Sequence, residues 1–139
     1  MLCVIVSKDK VLIKTFSQKN QFTLDRNDWV FPTSDEKGQP ILVFRAAGIA
    51  PDELKTLGTS TLHDTGSKKL VLSEGLDRFA RKYPADKKTA WAKDVGVLQG
   101  GYALVPLVVL PTEMKNAAQQ AIASLHEQPI TRRIKKDAA

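Results

Sequence analysis

The chain has 139 residues and carries 21 Lys and Arg against 15 Asp and Glu, a formal net charge of +6. Its 42% hydrophobic and 26% charged content is ordinary for a globular chain, and its length suits one domain; a wholly disordered chain, a collagen and a coiled coil are excluded. The single cysteine excludes a disulfide framework and a cysteine-rich zinc site.

Met1 to Val6 is apolar, but Lys8, Asp9 and Lys10 follow at once, so the start does not read as a signal peptide. The longest apolar run, Tyr102 to Pro111, falls well short of the roughly 20 residues a membrane-spanning helix needs. The expectation is a soluble cytoplasmic protein with no membrane partner.

The first third reads as strands. Leu2–Val6 and Val11–Phe16 flank the polar Ser7–Lys10, which predicts a hairpin with a four-residue loop. Gln21–Leu24 and Trp29–Phe31 are further short strands, and Pro32 closes the second. Ser34–Pro40 is a loop by composition, and Ile41–Phe44 reads as a buried strand. Short connections favour an antiparallel meander.

The middle mixes helices and strands. Pro51, Asp52 and Glu53 suit a helix start and Gly58 a stop, which predicts a short helix over Pro51–Leu57. Thr61–His63 and Lys69–Leu72 can pair around Thr65-Gly66-Ser67. Ser73 is a fitting N-cap, and Leu76, Phe79, Ala80 and Tyr83 share one helical face. Pro84 separates that helix from a second over Ala85–Val95. Gly100-Gly101 is a joint before the apolar strand Tyr102–Leu110, which Pro106 interrupts, so that it is kinked, bulged or at an edge. Thr112 caps a helix whose stripe of Met114, Ala117, Ala118, Ala121, Ile122 and Leu125 is apolar, and which is expected to stop before Pro129. The predicted fold is a single α+β domain over residues 1–131, an antiparallel sheet with helices packed on one face, followed by a basic tail over 132–139.

The positive charge is uneven. Residues 68–94 hold eight bases and four acids, and residues 127–139 hold four bases and two acids. Lys68, Lys69, Arg78, Arg81, Lys82, Lys87 and Lys88 therefore mark a predicted basic helical surface, helped by Arg132, Arg133, Lys135 and Lys136. A basic surface with interleaved aromatics can hold a phosphate backbone and stack bases. An ordinary solvated face with pairs such as Asp77 and Arg81 explains the same pattern. Phe79, Tyr83 and Trp91 suit a core better than a stacking platform. A helix-turn-helix has little support, because the turn lacks glycine and the second helix is short.

Catalytic signals are sparse. His63-Asp64 is an imidazole–carboxylate pair, but neighbours on a strand point to opposite faces. His126 ends the long helix, where it can cap the dipole. Glu53-Leu54-Lys55 has a metal-nuclease spacing, yet it falls in a predicted helix, where the two side chains diverge. Asp25, Asp28, Asp35 and Glu36 lie in turns, where carboxylates are common. Cys3 reads as a buried, inert thiol. These residues imply no cofactor and no metal site. Nucleic-acid binding with little sequence specificity is the leading expectation. A protein-binding adaptor or inhibitor acting on an acidic partner, and a metal-dependent nuclease, are the alternatives.

Overall fold

The computed structural model describes residues 2–17, 21–34, 36, 60–66, 68–73, 75–83 and 90–138, without the side chains of 60, 61 and 126–138. Its strands are β1 (Leu2–Ser7), β2 (Lys10–Thr15), β3 (Trp29–Val30), β4 (Ser60–Asp64), β5 (Lys68–Ser73), β6 (Arg81–Lys82), β7 (Gly96–Val97) and β8 (Tyr102–Pro106), and its one α-helix among the described residues is α1 (Thr112–Ala138). They form one 8-stranded sheet in the order β4-β5-β1-β2-β8-β7-β6, with β3 beside β2.

The expected first hairpin forms, with a tighter turn. Ser7 pairs with Lys10, so only Lys8 and Asp9 make the loop, and Lys8 takes a left-handed φ of 59°. The two strands separate beyond Val6 and Val11. The segment from Trp29 to Thr33 fills the gap between them. Lys14 and Thr15 pair with Val30 and Trp29 on one side, while on the other the Cys3 N–H donates to the Pro32 carbonyl at 2.8 Å.

The sheet is mixed, not antiparallel. β1 lies parallel to β5, with Val4 beside Leu70 and Ile5 beside Val71. A local reading of the first third misses this neighbour, because it comes from the middle of the chain. β5 and β4 then pair antiparallel around Thr65 and Gly66, as their spacing predicts.

Both faces of the central strands are buried, which explains their unbroken apolar runs. The pleat sends Ile5, Leu12, Val71 and Leu104 to one face, where Leu76, Leu98 and Tyr102 join them. It sends Val4, Val11, Ile13, Leu70, Ala103 and Val105 to the other, where the aromatic residues and α1 pack. Each fully buried Val, Leu or Ile contributes about 1.5–3 kcal/mol. Ala118 and Ala121 of α1 are buried against this second face, and the alanine stripe lets the helix approach closely.

Two helix expectations fail. The helix expected after Ser73 is a single 3₁₀ turn, Leu76–Phe79, followed by extended chain in β6. Leu76 and Ala80 join one core and Tyr83 the other, so their helical spacing reflects two faces of a sheet rather than one face of a helix. Of the second helix, Ala90–Asp94 is also 3₁₀. Gln21–Leu24 is not a strand, although Phe22 is buried. α1 does not stop before Pro129. That proline removes one helical hydrogen bond, and the good helix formers around it carry the helix to Ala138. Pro106 ends β8, and a 3₁₀ turn over Leu107–Val109 follows. Ile41–Phe44 and Pro51–Leu57 lie outside the described residues. Among those described, no helix is long and apolar enough to cross a membrane.

Candidate functional site

Among the described residues β6 forms one edge of the sheet, and its position follows from the turn before it. Leu76 is 1% exposed and anchors the 3₁₀ turn in the core. Ala80 closes that turn through its N–H to the Asp77 carbonyl and is itself extended, with φ −81° and ψ 137°. The chain then runs as Arg81 opposite Val97 and Lys82 opposite Gly96, and the Tyr83 N–H donates to the Val95 carbonyl at 3.3 Å.

A groove of about 450 Å³ opens along this edge, lined among others by Gln21, Phe22, Arg81, Lys82, Tyr83 and Gln99. A second hollow of about 290 Å³ adjoins it, shares Arg81 and Gln99, and adds Phe79. Gln99 reaches the rim because Gly100 and Gly101, at φ 75° and 81°, turn the chain back into β8. The Leu98 N–H to the Tyr102 carbonyl, at 2.8 Å, closes that turn. The predicted glycine joint therefore has a structural role beside the groove.

The groove's aromatic wall continues into the core. Tyr83 and Phe22 meet edge to face at 5.7 Å, Phe22 and Trp29 lie 5.8 Å apart, and Trp29 and Trp91 meet edge to face at 5.6 Å. The Trp29 Nε1–H donates to the Thr23 carbonyl at 2.9 Å, so the indole is fixed. Tyr83 and Trp91 thus pack as expected. Phe79 does not: it is 43% exposed.

The predicted basic surface is not one helical face. Arg81 and Lys82 line the groove, and both are exposed. Neither makes an ion pair among the described residues. Arg78 is exposed on the turn just before them. Lys68 and Lys69 sit on β5, and four strands separate them from β6. Lys69 is also engaged: its Nζ lies 2.7 Å from Asp64 Oδ2, and its side chain is only 15% exposed. Its hydrogen bond first, and its charge second, hold the Asp64 carboxyl below the usual aspartate value. Lys87 and Lys88 lie outside the described residues. Arg132, Arg133, Lys135 and Lys136 are described only as backbone of α1.

Among the described catalytic candidates, Asp64, Asp25 and Asp28 have structural partners. His63 and Asp64 alternate on β4, and the carboxylate turns to Lys69, its cross-strand partner. Asp25 accepts from the Asn27 N–H at 3.1 Å and caps a short 3₁₀ turn, while Asp28 accepts from the Ser17 hydroxyl. Among the described residues no group of three or more His, Cys, Asp or Glu converges. Glu53, Lys55 and Asp35 lie outside them. Cys3 is fully buried.

Sequence reasoning missed Gln21, Phe22 and Gln99 as groove residues. Their place depends on long-range packing, and only the glycine pair after Gln99 signals a turn there. No family model matches this chain, and neither a curated protein nor a solved structure shows significant similarity to it.

Proposed function

We propose that this chain is a small non-catalytic protein that binds nucleic acid at the β6 edge with little sequence readout. One observation carries the reading. Arg81 and Lys82, exposed and without an ion pair among the described residues, border a groove whose other lining includes Phe22, Tyr83 and Gln99. Exposed cations along a groove suit a phosphate backbone, and the exposed Phe79 in the adjoining hollow offers a ring to a base. The cations release counterions from the bound phosphates, so affinity falls with salt. The net charge of +6 adds a long-range attraction for polyanions.

Fluorescence anisotropy with labelled single- and double-stranded DNA and RNA, at low and moderate salt, tests the reading. The expected result is binding that weakens steeply with salt and is reduced in Arg81→Glu and Lys82→Glu. Absence of binding even at low salt overturns it and directs the search to an acidic protein partner by pull-down.

A further inference from the structure

We infer that the groove selects an unpaired strand, with one base stacked on Phe79 and a neighbouring phosphate on Arg81. The inference rests on the nucleic-acid reading and adds the class of nucleic acid to it. Phe79 is the last residue of its 3₁₀ turn and is 43% exposed, while Leu76 of the same turn is 1% exposed. The turn thus buries one apolar side chain and leaves a flat ring in solvent at the rim of a hollow.

Arg81 follows two residues on, across the extended Ala80, and the two residues line the same hollow. Two residues of chain span at most about 7 Å, the scale on which a nucleotide separates its base from its phosphate. The hollow they share measures about 290 Å³, which is room for one base and its sugar. Gln99 on the same rim offers an amide donor and acceptor to a base edge.

The distribution of cations argues in the same direction. A duplex presents two backbones and is held by cations spread across a broad face. Among the described residues, four strands separate Lys68 and Lys69 from Arg81, and Lys69 is tied to Asp64. A single backbone running past Arg78, Arg81 and Lys82 needs only the β6 edge. Stacking on an aromatic side chain is open to every base, so binding is strand-selective and largely sequence-tolerant.

The test is anisotropy of the full chain with a labelled oligothymidylate and with a duplex of the same length, at low salt, for wild type, Phe79→Ala, Phe79→Leu and Arg81→Glu. Thermal melting of each variant checks the fold. The expected result is tighter binding of the single strand, weakened roughly 5- to 150-fold by Phe79→Ala, with duplex binding unchanged. Phe79→Leu keeps the apolar bulk without the flat face and is expected to behave like Phe79→Ala. Equal affinity for both forms, or single-strand binding that Phe79→Ala leaves intact while Arg81→Glu lowers it, overturns the stacking inference and leaves the nucleic-acid reading standing. Loss of all binding in the wild type overturns both.

Discussion

Ala80 and Gly96 approach so closely where β6 meets β7 that a Cβ built on Gly96 would lie 2.7 Å from the Cβ of Ala80. The contact is with an atom fixed to the backbone, so no rotamer change relieves it. It lies at the seam between the edge that carries Arg81 and Lys82 and the rest of the sheet, because Lys82 pairs with Gly96 itself. Gly96→Ala is expected to destabilise the protein by about 1–3 kcal/mol, as overpacked cores do. The double variant Ala80→Gly with Gly96→Ala restores much of the loss, since the clash then lacks one partner. Urea unfolding of the four proteins in the cycle measures both effects. Additive losses would show that the contact is not what excludes a side chain at position 96.

The contrast between the two ends of the chain shows what the sequence carries. The first hairpin, the β4–β5 pair and the apolar stripe of α1 are local patterns, and each is legible from spacing alone. The parallel pairing of β1 with β5 is not, because it joins residues more than 60 positions apart. Leu76, Ala80 and Tyr83 mislead for a related reason. Their spacing fits a helix, but the two-sided sheet offers a second way to bury the same residues. The cations of β6 were legible as a charge excess. That Arg81 and Lys82 share a groove with Phe22 and Gln99 depends on chain reversals distant in sequence.

Asp64 links the fold to pH. Its carboxyl titrates below the ordinary aspartate value because Lys69 donates to it and because the ammonium charge lies close. A carboxylate with a depressed folded-state value contributes stability that is full above the unfolded value and is lost as pH falls through the folded one. Wild type and Asp64→Asn are therefore expected to differ in Tm by a constant amount above about pH 3.8, and to converge below it. The difference is small, since Asp64 is 61% exposed and solvent screens the pair. Melting curves across an acid series check this. A gap that persists unchanged to the lowest pH would mean that the ion pair is not its source.

Lys8 sits in the left-handed region at φ 59° within the two-residue turn. A residue with a Cβ is about 1–2 kcal/mol less stable there than in the right-handed region, and glycine removes that strain while adding roughly 0.5–1 kcal/mol of chain entropy to be lost. The Lys8–Asp77 pair at 3.8 Å is exposed and contributes little. Lys8→Gly is expected to be neutral or to stabilise by up to about 1 kcal/mol, whereas the β-branched Lys8→Val destabilises. Chemical denaturation of both variants decides it, and a clear loss in Lys8→Gly would assign Lys8 a larger role than its geometry shows.

Ala118 and Ala121 lie at 0% and 1% exposure between α1 and the sheet, while Ala123 on the same helix is exposed. Leucine at either buried position drives the helix off the sheet and is expected to lower stability by about 1–3 kcal/mol, and by more where the helix cannot shift. Ala123→Leu is the control, expected within about 0.5 kcal/mol of wild type. Comparable losses at all three positions would instead indicate an effect on helix propensity rather than on packing.

Charge reversal separates the β6 edge from the charge of the protein as a whole. Arg81→Glu and Lys68→Glu each change the net charge by the same amount, but Arg81 lines the groove and Lys68 lies on β5, four strands away. If binding were general attraction to a basic protein, the two variants would weaken it equally. Binding at the groove predicts a much larger loss for Arg81→Glu, and a salt slope reduced by about 0.7 for each single-strand phosphate contact removed. Lys68→Glu is expected to lower affinity slightly and to leave the slope unchanged, because it alters the distant field and no contact. The readout is the logarithm of affinity against the logarithm of salt concentration for wild type and both variants. Parallel lines with equal offsets for Arg81→Glu and Lys68→Glu would place the binding surface elsewhere.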